Sequence, residues 1–100
     1  MTINIQYVQM DTGESMSNYV TEKLNRLGEK FELIIKAEVH FKHENHPKER
    51  GKICSIELSL PGPRLFATSN EKNYEMAVKE TINDLVIQLK KRKQVFNVHS

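Results

Sequence analysis

The stretch from Asn70 to Lys93 contains neither proline nor glycine, and it limits the possible folds more than any other part of the chain. At helical spacing, Tyr74, Val78, Ile82, Leu85 and Leu89 fall on one stripe, with Ala77 and Val86 beside it, which predicts a long amphipathic helix. Ser69 or Asn70 is the expected N-cap, with Glu71 in the first turn. Such a helix is roughly 36 Å long, enough to cross a sheet and still present one end to a partner. Its outer side begins mixed, with Glu71, Lys72, Glu75, Lys79, Glu80 and Asp84, and finishes in the run Lys90-Lys91-Arg92-Lys93. One or two cations there would simply complement the helix macrodipole. Four in succession repel one another, and a polyphosphate backbone is the outside anion that most commonly relieves such repulsion.

The remaining segments supply a surface for that helix. Thr2 to Val8 alternates, with Ile3, Ile5 and Tyr7 on one face, and Asp11-Thr12-Gly13 ends this strand. From Ser15 to Phe31 the positions Met16, Tyr19, Val20, Leu24, Leu27 and Phe31 recur at helical spacing, giving a second amphipathic helix whose last turn is weakened by Gly28. Ile35, Ala37, Val39 and Phe41 then alternate with Lys36, Glu38, His40 and Lys42. A polar loop from His43 to Gly51 leads to a further alternating run, with Cys54, Ile56, Leu58 and Leu60 on its apolar side. Pro61-Gly62-Pro63 forces a tight reversal, and Arg64 to Thr68 makes a last short strand.

The expected order is therefore β-α-β-β-β-α, an α+β fold. A helical crossover lets the first two strands lie parallel, and the short connections after them make an antiparallel meander. Each strand has one apolar face and each helix one apolar stripe, so the two helices should pack side by side on one face of a four-stranded sheet. The other sheet face stays wet. A chain of 100 residues is one domain, read as residues 1–93 with a short tail over 94–100.

A single cysteine rules out an internal disulfide, and the alternating N-terminus does not read as a signal peptide. With no apolar run long enough to cross a bilayer, the expectation is a soluble cytoplasmic protein without a membrane partner. The net charge is only +2, from 15 basic and 13 acidic residues, so any electrostatic footprint must come from clustering.

Catalysis has no positive support in the sequence. His40, His43 and His46, with Cys54 as a fourth ligand, invite a metal reading, but strand alternation points His40 and His43 to opposite faces and Cys54 inward. A lone cysteine on an apolar strand face reads as a small core residue. Neither a nucleophile motif nor a glycine-rich phosphate loop is present, and the carboxylates are scattered among cations. The expectation is a protein that is not an enzyme and has no metal, cofactor or small-molecule substrate.

Two lines of basic side chains remain. Lys23, Arg26 and Lys30 share one exposed stripe of the first helix, interleaved with Glu22 and Glu29. With the helices side by side, Lys23 and Arg26 can flank Lys79 and Lys90, forming a ridge suited to structured RNA, where backbone shape is read more than sequence. Tyr7, Tyr19, Tyr74, Phe31 and Phe41 are wanted by the core, which argues against an extended platform for stacking single strands.

Across nearly its whole length the chain resembles the ribosome hibernation-promoting factors, also described as ribosome-associated translation inhibitors or sigma-54 modulation proteins. The resemblance rests on Ile3-Asn4-Ile5, on VTEKLNRLGEKF from Val20 to Phe31 followed by Glu32-Leu33-Ile34, on LPGPRLFA from Leu60 to Ala67, and on YEMAVKETINDLVIQLKKRK from Tyr74 to Lys93. It implies a fold similar to a double-stranded RNA-binding domain. It also implies binding in the decoding region of the small ribosomal subunit, across the path of messenger and transfer RNA, in idle or stressed cells. The positions matching the family's basic RNA contacts are Lys23, Arg26, Lys91 and Lys93, with Arg92 in a basic or histidine slot. Departures are Asp84 and Ile87, where basic residues are common, and Asn73-Tyr74-Glu75 in place of an aspartate-methionine-tyrosine opening. Ending at Ser100, the chain is similar to the short class of the family.

Combining both lines of reading, the expected rRNA-binding residues are Lys23, Arg26, Lys79, Lys90, Lys91, Arg92 and Lys93. The rival reading is a protein-interaction module that uses the wet sheet face or the 94–100 tail.

Overall fold

The structure is a computed structural model that describes residues 1–45 and 50–98, with residues 94–98 as helical backbone. His46 of the metal reading lies outside the described residues, as do the side chains of the 94–100 tail. The elements are β1 (Thr2–Val8), α1 (Glu14–Lys30), β2 (Lys36–His43), β3 (Lys52–Ser59), β4 (Leu65–Glu71) and α2 (Tyr74–Val98). This is the expected β-α-β-β-β-α order. The strands form one sheet in the order β1-β2-β3-β4, with β1 parallel to β2 and the other pairs antiparallel.

Strand alternation sorts the side chains as expected. Ala37, Val39 and Phe41 of β2 and Cys54, Ile56 and Leu58 of β3 are fully buried beneath the helices. Val20, Leu24 and Leu27 of α1 and Ala77, Val78, Leu85 and Leu89 of α2 close over them. Toward one end of the sheet, Phe41 stacks on Tyr7 with ring centroids 5.1 Å apart and meets Tyr74 edge-on at 5.6 Å. On the wet face the charges pair among themselves: Lys36 with Glu38 at 2.6 Å and Arg64 with Glu57 at 3.0 Å. Contact with the Lys36 ammonium and a hydrogen bond from Asn4 hold the Glu38 carboxyl below the usual carboxylate range.

Four expectations are corrected by the structure. Asn70 and Glu71 belong to β4, paired with Ile53 and Lys52 of β3, and α2 begins only at Tyr74. The cap is Asn73, whose Oδ1 accepts the Met76 amide at 2.8 Å, and the acidic residue of the first turn is Glu75 rather than Glu71. Ladder pairing explains the shift, because two more residues of β4 find partners before the chain turns. At the other end α2 continues past Lys93 to Val98. Thirdly, Thr81 is fully buried on the inner stripe of α2, whereas Ile82 lies at its margin; Val86 stands beside the stripe as expected. Finally, Ile35 is 62% exposed, since it precedes the regular alternation of β2 and its neighbour Ile34, 5% exposed, turns into the core instead.

Two turns depend on glycine. Gly51, at φ +129°, is buried against Glu44, where a side chain would collide with the Glu44 carbonyl. Its amide donates to Asn70 Oδ1 at 2.7 Å, tying the β2–β3 connection to β4. Gly62, at φ +90°, makes the expected Pro61-Gly62-Pro63 reversal. The free edge of β4 is also engaged, because Gln88 Nε2 of α2 donates to the Phe66 carbonyl at 3.0 Å.

Candidate RNA-binding face

β1, β2 and β4 point the same way, so α1 and α2, which follow β1 and β4, both run back and bring their C-terminal ends to one end of the sheet. The packing agrees: Lys30 and Phe31 at the end of α1 line one cavity with Leu89, Arg92 and Lys93 of α2. The lengths differ. Strands of this size span roughly 25 Å, whereas a helix the length of α2 runs to roughly 37 Å, so the last part of α2 overhangs the sheet.

This arrangement changes the account of the basic run. Because α2 continues to Val98, its last turn holds no basic residue, and Lys90 to Lys93 lie before it. The macrodipole acts mainly within the terminal turn, so it accounts for little of this cluster.

The seven expected site residues divide into groups. Lys23 and Arg26 of α1 edge a groove with Lys30, and Ile82 of α2 forms its opposite wall. Arg92 and Lys93 meet Lys30 in the cavity at the helix ends. Lys90 and Lys91 are exposed on the same stretch of α2. Lys79 is exposed too but stands apart, three helical turns or roughly 16 Å from Lys90, with Glu75 one turn before it and Glu80 next in sequence. Asp84 and Ile87 are exposed between the two ends of the helix, and Ile87 is 53% accessible.

Three of these cations have local partners. Arg26 is bound to Glu22 at 2.7 Å, one turn away on an exposed face where such a pair is weak. The Arg92 guanidinium folds back toward the Pro61 carbonyl at 3.5 Å, holding the overhanging helix against the β3–β4 turn. Lys23 lies over the Tyr19 ring at 5.5 Å, which orients its stem along α1. Among the described residues the ion pairs are Glu22–Arg26, Lys36–Glu38, Lys42–Glu44 and Glu57–Arg64. Three of the four involve strand residues or the loop next to them, so the cations of the helical side are mostly left to solvent or to an outside anion.

Lys30 is not among the seven expected residues, yet it stands where their two groups meet. It lines both the groove and the end cavity, and its place at i+7 from Lys23 was the available signal. The Cys54 thiol is fully buried, and burial pushes its pKa up to about 12, the chemistry of a core residue.

Known proteins share this architecture. A solved ribosomal subunit interface protein from Coxiella burnetii superposes with a TM-score of 0.82 at 24% identity, covering 94% of this chain and 99% of that one. The N-terminal domain of Thermus thermophilus Protein Y gives 0.77 at 19% identity, with coverage of 91% and 98%. A ribosome hibernation promoting factor from Acidithiobacillus ferridurans is 36% identical over 62 residues, which is 62% of this chain and 78% of that protein. The family model described as sigma 54 modulation protein / S30EA ribosomal protein matches residues 3–96. With the match spanning every element from β1 to α2, the chain belongs to the sigma 54 modulation protein / S30EA ribosomal protein family.

Proposed function

We propose that this chain is a ribosome hibernation factor of the cytoplasm. It binds the decoding region of the small subunit through the ends of its two helices, blocks messenger and transfer RNA there, and silences translation in idle or stressed cells. The reading involves no chemical step: occupancy alone inhibits. One observation carries it. Lys30, Arg92 and Lys93 from two helices converge at the ends of α1 and α2 without ion-pair partners among the described residues, with Lys23 and the Glu22-paired Arg26 along the flank, while the sheet face neutralises its own charges. The family, and the name of the Acidithiobacillus ferridurans relative, supply the kind of target.

Lys90, Lys91, Arg92 and Lys93 supply the dense end of the contact, Lys23 and Arg26 its flank, and Lys79 a weaker outlying one. Affinity built on phosphates falls with salt, each contact adding roughly 0.7 to 0.9 to the slope of log affinity against log salt.

The test is co-sedimentation with ribosomes and separated subunits across a salt series, comparing the wild type with Lys90, Lys91, Arg92 and Lys93 all changed to glutamate. Salt-sensitive pelleting with the small subunit, lost in the variant, is the expected result. A wild type that stays in the supernatant at low salt overturns the proposal. The rival reading, docking of a protein on the sheet face, has exposed Phe66 in its favour, and there Phe66→Ser rather than charge reversal would abolish binding.

A further inference from the structure

The cavity at the helix ends has a volume of about 370 Å³, within the range of small-molecule sites and roomy enough for a single heterocycle. Its lining is ordered by chemistry. Buried Leu60 and Leu89 form the floor, half-buried Phe31 offers a ring, and Leu33, 60% exposed, stands at the mouth. Lys30, Arg92 and Lys93 bring three cations to the same opening. Glu29 and Glu32 bring two carboxylates.

That mixed rim selects among occupants. An acidic peptide would meet Glu29 and Glu32, and a basic one would meet Lys30, Arg92 and Lys93. A nucleotide satisfies both sets, because its phosphates are anionic while its base carries N–H donors. Among the bases, guanine presents N1–H and N2–H₂ side by side, which a carboxylate accepts together. The apolar floor and the Phe31 ring suit its π face.

We propose that this cavity receives one unstacked guanine nucleotide of RNA, its base against Phe31 and Leu33 and its phosphates on Lys30, Arg92 and Lys93. The inference rests on the reading of this face as an RNA contact and adds to it a base-specific element. Phosphate contacts position the protein and carry no sequence information; a bound base does. No extended stacking platform is needed, because only one ring is required.

The experiment is a titration of the full chain, followed by NMR, with the four nucleoside 5′-monophosphates, ribose 5-phosphate and a short acidic peptide containing one phenylalanine. The expected result is that GMP binds tightest and shifts Phe31, Leu33, Leu60 and Leu89, while ribose 5-phosphate shifts only the surroundings of Lys30, Arg92 and Lys93. Phe31→Leu keeps the apolar volume without the ring, and Leu33→Gln changes an exposed position that the fold does not need. Each should weaken GMP, the ring loss by about tenfold, with the thermal midpoint of Leu33→Gln unchanged. Shifts confined to the cations for every ligand, or preference for the peptide, overturn the proposal. So does GMP affinity that is indifferent to both substitutions. Sedimentation of the same variants separates the two readings. Ribosome binding retained by Phe31→Leu and Leu33→Gln but lost on charge reversal defeats the base pocket alone, whereas a wild type that binds GMP but never pellets with ribosomes defeats the hibernation reading.

Discussion

The Thr81 hydroxyl on α2 lies 3.1 Å from the backbone carbonyl of Cys54 on β3, joining the long helix to a central strand by a buried polar contact. The same hydroxyl is 2.7 Å from the Ala77 carbonyl one turn earlier, so its proton is shared between helix and sheet. Thr81→Val preserves shape and removes the donor. It should cost about 1 kcal/mol, the usual net worth of such a bond, read as a lower urea midpoint with an unchanged slope. Equal midpoints would show that the bond adds nothing to stability.

Cys54 makes a prediction in pH. Burial raises its thiol from 9.0 to about 12, so the folded state holds this proton more tightly than the unfolded one. The corresponding stability is complete below pH 9 and declines as pH rises from 9 toward about 12. Cys54→Val should flatten part of that decline in urea midpoints measured at pH 8, 9 and 10. Tyr74 supplies a further part, since burial and the neighbouring Tyr7 raise its hydroxyl as well. Parallel pH profiles for wild type and variant would count against a role for the thiol.

Asn73 is the capping residue of α2. Asn73→Ala should destabilise the chain by about 1 kcal/mol, while Asn73→Asp or Asn73→Ser should be nearly neutral. Ser69→Ala, at a position first read as a cap, should have no helix-capping effect because Ser69 lies within β4. Thermal melts of the four variants rank these outcomes directly.

Element order, strand faces and the side-by-side helices were legible because period-two and helical patterns are carried by runs of aliphatic residues. The boundary at Asn70 was not. Asn and Glu are weak strand formers, and it is the partners Ile53 and Lys52 across the ladder, with the Gly51 amide on Asn70 Oδ1, that hold Asn70 and Glu71 extended. Thr81 was missed for a related reason: a hydroxyl inside an apolar stripe reads as polar until its acceptors are seen. In the candidate site each cation was readable singly. The return of Arg92 to Pro61 and the meeting of Lys30 with Lys93 depend on which helix ends coincide, a property of topology that no local spacing contains.

Glu22 offers a gain-of-function test. It occupies Arg26 at 2.7 Å on a solvent-exposed face, so the pair adds little to stability but, under the proposed function, withholds a cation from phosphate. Glu22→Gln should tighten ribosome binding a few-fold at low salt and steepen its salt dependence by up to about one phosphate contact. Its melting temperature should match that of the wild type. Sedimentation curves that superpose would remove Arg26 from the contact.

The bond from Gln88 to the Phe66 carbonyl also bears on solubility. β4 is one of the two outer strands of the sheet, and an outer strand with free carbonyls is a template on which a second chain can extend the ladder. A side chain from α2 occupies one of those carbonyls, and Phe66 beside it would otherwise be an apolar invitation to pair. The helix that carries the basic cluster thus also caps one position on this edge of the ladder, where a second chain could otherwise add a strand.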